Sequence, residues 1–140
     1  MQLTTTIDLQ GTLKRLESLM VKDKDRKRAL KLAAAGQMKS VKDRTADGMG
    51  LKGRFKRYSK PYAIFRRETG HSTKHVNLFY TGTMMNDMSV SSNYFQAEIS
   101  FHRITERKKA TGLQKKRPFM GITRKEQKQI VKRFKRALFK

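Results

Sequence analysis

The sequence predicts a single α+β domain, residues 1–140, with helices toward both ends and a small antiparallel sheet containing a hairpin between them. Three observations predict it. Tyr94, Gln96, Glu98 and Ser100 alternate with Phe95, Ala97, Ile99 and Phe101, the period-two signature of a half-buried strand. Thr123-Arg124-Lys125-Glu126 reads as a capping box, and Ile130, Val131, Phe134 and Leu138 behind it form one apolar seam of a basic amphipathic C-terminal helix. Leu30, Ala33, Ala34, Met38 and Val41 recur at helical spacing, placing another helix in the first third.

In chain order, a polar start leads into Leu9, Leu13, Leu16 and Met20, an apolar helical stripe with Asp8 as its N-cap. The run VKDKDRKR at 21–28 is either the exposed part of one long helix or a short connection. Gly36 interrupts the next helical pattern at a cost of about 1 kcal/mol relative to alanine. Gly48, Gly50 and Gly53 exclude regular helix and predict an extended loop with positive backbone angles. Phe55 and Tyr58 are aromatic anchors, and Pro61 opens a short helix through Tyr62, Ala63 and Phe65.

Val76–Tyr80 is rich in β-forming residues and predicts a strand, broken by Thr81-Gly82-Thr83. Met84, Met85 and Met88 suggest one helical turn. Residues 88–91 and 94–102 form a hairpin around Ser91-Ser92-Asn93, with Phe95, Ala97, Ile99 and Phe101 facing the core. The basic segment 105–112 is expected to be mobile. Pro118 then ends the preceding structure, Phe119 plugs the core and Thr123 starts the last helix.

Composition narrows the function. Hydrophobic residues make up 36% of the chain, below the usual 45–50% or so, so some faces are expected to be covered by partners. There is no cysteine, hence no disulfide and no thiolate metal site. No secretory pattern and no run of 18 apolar residues occurs, and a soluble protein made in the cytoplasm, without membrane contact, is the expectation. The net charge is +23, and residues 101–140 alone hold 15 basic and 2 acidic side chains. Such a field favours polyanions through counterion release; its blander use is solubility or an acidic protein neighbour. No base-reading motif is present.

Catalytic and metal readings find little support. His71 and His75 are four apart, but in a Gly-, Ser- and Thr-containing loop, and His102 is remote in sequence. None of the 11 acidic residues sits in a motif with a nucleophile and base. Gly48-Met49-Gly50-Leu51-Lys52-Gly53 lacks the Lys-Ser/Thr ending of a phosphate loop. No enzyme, cofactor or metal is expected. The methionine cluster reads as core or interface filler. The seam of the last helix is expected to pack on the protein's own sheet.

Several landmarks occur in a definite order: Lys42-Asp43-Arg44-Thr45, the glycine-rich stretch, Phe55 with Tyr58-Ser59 and Tyr62-Ala63, Leu78…Thr81-Gly82…Met85, and Arg117-Pro118-Phe119-Met120-Gly121 before the terminal helix. In these the chain resembles, over residues 29–140, the phage tail-terminator and tail-completion family of neck proteins, akin to the tenth-gene product of lambdoid phages, with its virion-morphogenesis relatives. Residues 1–28 carry no such likeness.

The resemblance implies a ring-forming subunit, with a hexamer expected, that caps the tail tube at the virion neck and joins it to the head connector or stopper. DNA passing through the lumen would then meet Lys108, Lys109, Lys115, Lys116 and Arg117. Phe55, Tyr58, Tyr62, Met84, Met85 and Phe119 are the expected subunit-interface residues. Arg117-Pro118-Phe119 is first of all a rigid turn into the last helix; its functional alternative has Arg117 pair with a carboxylate or phosphate across a subunit boundary. The basic 105–112 segment departs from the family pattern, where aromatic or glycine residues are common. The alternatives are a non-enzymatic basic nucleic-acid-binding protein or another neck component, a stopper or connector adaptor.

Overall fold

The structure, a computed structural model, describes residues 3–9, 11, 14 and 22–139. Its centre is the alternating strand β5 (Gln96–Phe101), which turns Ala97, Ile99 and Phe101 inward. Strand β4 (Met88–Ser92) pairs with it antiparallel, Val90 opposite Ile99 and Met88 opposite Phe101. On the other side lies β1 (Thr5–Asp8), antiparallel, with Thr5 opposite Ile99 and Ile7 opposite Ala97, so the order is β1-β5-β4.

The presence of β1 corrects the reading of these residues as a polar lead-in. Asp8 ends a strand, and Leu9 beyond it is buried in the core; the helix that Asp8 is expected to cap lies largely outside the described residues. Thr5 and Ile7 are β-branched and alternate inward, which suits a pleated edge better than a helix start. The expected stripe through Leu13, Leu16 and Met20 lies outside the described residues.

Helix α1 (Asp23–Ala46) takes up most of the VKDKDRKR run as its exposed opening turns. Asp23 and Asp25 in its first turn and Arg44 in its last complement the helix dipole. Ala29, Leu30, Ala33, Ala34, Gln37, Val41 and Thr45 line its buried face, which packs on β4, β5 and the last helix. Gly36 is on the side of α1 that meets that helix: a Cβ there would come within 2.7 Å of the Arg133 side chain.

The glycine-rich stretch becomes a tiny hairpin, β2 (Met49–Gly50) with β3 (Gly53–Arg54). Gly50 is required by proximity, because a Cβ would lie 2.5 Å from the Pro118 carbonyl and 2.6 Å from the Phe55 ring. Helix α2 (Lys60–Glu68) starts with Pro61 in its first turn, as the sequence predicts. Helix α3 (Thr83–Asn86) is the expected methionine turn, entered through Gly82 at φ +80°.

Three expectations fail locally. Residues 76–80 do not join a sheet. Their backbone is held by side chains instead: the Asn77 N–H donates to the Tyr58 hydroxyl, which donates back to the Asn77 carbonyl, and the Phe79 N–H donates to Asn77 Oδ1. Such local bonds satisfy the groups a ladder would have used. Phe95 is 60% exposed, because it lies in the turn, where Asn93 Oδ1 accepts from the amides of Phe95 and Gln96.

The third concerns the basic segment, which is an ordered helix, α4 (Ile104–Lys116). Glu106 and Ala110 are buried and Leu113 packs against the core, an inner face the run of lysines and arginines obscures. The last helix, α5 (Arg124–Leu138), carries the full capping box. Its seam of Ile130, Phe134 and Ala137 packs chiefly on α1, not on the sheet.

Candidate functional site

Two neighbouring features are built around the corner at residues 117–121. The first is a closed junction. The Arg44 guanidinium, on the last turn of α1, donates to Glu126 Oε1 at 2.8 Å, the Phe119 carbonyl at 2.7 Å and the Gly121 carbonyl at 3.2 Å. The Gln37 amide donates to Glu126 Oε2 at 2.8 Å, and the Thr123 N–H donates to the same oxygen at 3.0 Å. Burial of Glu126 by itself would raise its carboxyl. The hydrogen bonds from Thr123, Gln37 and Arg44, with the Arg44 charge, outweigh that and hold it below the usual carboxylate range.

From α4, Gln114 Oε1 accepts from the amides of Phe119 and Met120, both at 3.0 Å. The Leu51 N–H of the small hairpin donates to the Pro118 carbonyl at 2.9 Å. Phe119 is fully buried, edge-to-face with Phe101 at 6.3 Å between ring centres. Four separate stretches of chain thus fix one short corner.

The second feature is open. A groove of about 610 Å³ runs between α2, residues 77–82 and α4. Lys108, Lys109, Lys116 and Arg117 line one side, and Tyr58, Tyr62 and Tyr80 line the other with Arg66. Tyr62 and Arg66 share a face of α2 because they are four residues apart. Among the described residues no aspartate or glutamate lines the groove.

Arg66 is 3% exposed. Its guanidinium carbon lies 4.9 Å from the Tyr58 ring centre and 5.7 Å from that of Tyr80, a cation held between π faces. Its hydrogen bonds go to the carbonyls of Ser72 and Phe79, both at 3.4 Å. Arg117 lies 5.5 Å from the Tyr58 ring centre and reaches the Lys56 carbonyl at 3.2 Å. A second recess, about 860 Å³ and lined by Lys56, Arg57, Lys116 and Arg117, continues the groove through the shared Tyr58 and Tyr62.

Four of the five basic residues singled out in the sequence therefore come together; Lys115 is exposed but does not line the groove. Comparison with family models, curated proteins and solved structures returns no match for this chain. Of the six expected interface residues, Phe55, Met85 and Phe119 are taken up by the chain's own core. Met84 is also buried but touches the groove, and Tyr58 and Tyr62 reach the surface there.

Among the described residues no three of His, Cys, Asp and Glu are grouped to hold a metal. His71 stacks on Tyr80 at 4.1 Å, extending an aromatic series through Phe65 and Tyr62. Among the described residues no helix is long and apolar enough to cross a membrane. Sequence reading missed Arg66 and Tyr80. The signal for Arg66 was its place four residues after Tyr62 and eight after Tyr58; for Tyr80, whose position depends on an irregular segment, there was none.

Proposed function

We propose that this protein is a non-catalytic structural subunit of a phage virion neck, a tail-terminator or tail-completion protein that forms a ring between tail tube and head connector. One observation carries the reading. The sequence landmarks that suggest it, Arg44-Thr45, the glycine-rich hairpin, Tyr58 with Leu78, and Arg117–Gly121, are far apart in the chain yet meet around one corner and the groove beside it. Landmarks of a shared architecture should cluster in this way, whereas chance dipeptides should scatter.

The surface supports an assembling subunit. Ile64 and Phe65 on α2, Tyr94 and Phe95 at the hairpin tip, and Ile104 at the start of α4 are all substantially exposed. Apolar side chains grouped on α2 and at a projecting turn favour burial against neighbours. In such a ring the basic groove is the natural candidate for the surface nearest DNA.

A second reading, a general nucleic-acid-binding protein that needs no ring, is favoured by the groove itself. Light scattering and negative-stain imaging of nuclease-treated protein in high salt, alone and with a tail tube protein, separate the two. Closed rings in either condition support the neck reading. A persistent monomer that coats DNA overturns it.

A further inference from the structure

The groove has a composition that a structural crevice does not require. Arg66 at its floor is a nearly buried cation that meets no carboxylate among the described residues. A charge withdrawn from water is costly unless paired, and two carbonyls at 3.4 Å are at the long, weak end of hydrogen bonding. The tyrosine faces orient the guanidinium and offset part of that cost. They supply no counter-charge. Lys108, Lys116 and Arg117 add further positive charge at the same groove, while Lys109 is partly satisfied by Glu106 at 3.2 Å. The counter-charge the site calls for is an anion from outside.

We propose that this groove binds a single strand of nucleic acid, with phosphates drawn to Arg66, Lys116 and Arg117 and an unstacked base set against Tyr62. Three observations choose this ligand. The groove and the recess joined to it form a continuous cationic track, which suits a polymer better than one small anion. Arg66 is nearly buried in a concave site; a flexible single strand can bend a phosphate down toward it, whereas a stiff duplex keeps its phosphates on the outer surface of a wide rod. Tyr62 is 39% exposed beside the cations, and an unpaired base has a π face to lay on it. An acidic peptide would neutralise the lysines but leave that ring unused. The proposal is independent of ring closure, so a monomer can satisfy it.

The test is fluorescence anisotropy on the full chain with a labelled thymidine oligonucleotide of about a dozen nucleotides, against a duplex of equal phosphate number and a polyglutamate peptide as competitors. The single strand is expected to bind at least about tenfold more tightly than the duplex at equal salt. Tyr62→Ala, checked by thermal melting because the ring also packs on Tyr58 and Phe65, is expected to weaken the single strand about tenfold, the scale of one lost base–aromatic stack, and to leave the duplex unchanged. Lys116→Gln should reduce the affinity for the strand more than Lys132→Gln on α5, which removes the same charge elsewhere. Arg66→Gln is read alongside thermal melting, so that loss of fold is told apart from loss of binding. Equal affinity for strand and duplex, indifference to Tyr62→Ala, or displacement of the strand by the peptide at equal charge would overturn the proposal.

Discussion

Arg44 and Arg66 are both largely withdrawn from solvent, yet the fold treats them in opposite ways. Arg44 has a carboxylate, two backbone carbonyls and a capped helix around it, all between 2.7 and 3.2 Å. Arg66 has two distant carbonyls and two tyrosine faces. The first arrangement is complete in itself and ties α1, the corner and α5 into one unit. The second leaves a cation facing an open groove. A buried charge that is fully answered from within points to architecture; one that is not points outward, to something the protein meets.

That contrast can be broken by experiment. Arg44→Ala strands Glu126 in a buried position, and a loss of about 3–5 kcal/mol in urea-unfolding free energy is expected, the scale for one partner removed from a buried pair. Glu126→Gln keeps the shape and some hydrogen bonding, so a smaller loss of about 1.5–3 kcal/mol at neutral pH is expected. The same variant sharpens the point through acid titration. Because the folded-state carboxyl of Glu126 lies below its ordinary value of 4.5, its contribution is fully present above that value and is lost as pH falls through the lowered one. Wild-type protein should therefore shed this stability between pH 4.5 and more acidic conditions, while Glu126→Gln should lack that part of the slope.

Thr123→Ala removes one half of the capping box and should cost about 1 kcal/mol. Arg66→Met is the opposite extreme. Replacing an unpaired cation by an apolar chain of similar length should change stability by less than about 1 kcal/mol. In the same melting experiments, single-stranded oligonucleotide should stabilise wild type and have little effect on the variant. A loss at Arg66 as large as that at Arg44 would erase the distinction.

The strong periodic elements were legible from residues alone. The capping box at Thr123, the alternation through Ala97, Ile99 and Phe101, and Pro61 in the first turn of α2 all depend on local chemistry, and each appears where the pattern put it. What was hidden depended on distant partners. The strand at Thr5–Asp8 is short and polar and becomes recognisable only beside β5. The segment Val76–Tyr80 has strand-forming residues, but Tyr58 and Asn77 take its backbone bonds before a sheet can. In α4 the charged residues masked the inner positions Glu106, Ala110 and Leu113. The cationic half of the groove could be read from charge density. Its floor could not, because Arg66 meets Tyr80 through an irregular segment.

The position of β1 also bears on how the chain reaches this state. Its only strand partner among the described residues is β5, some ninety residues later in synthesis. At a translation rate of about 5–20 residues per second, the first strand waits roughly 5–20 s for the hydrogen bonds that hold it. Contacts at such sequence separation also slow the search for the native state. A nascent chain therefore carries its first strand unpaired until β5 is made, and the shortness of that segment, four residues ending on the charged Asp8, makes it a poor target for the wrong neighbour.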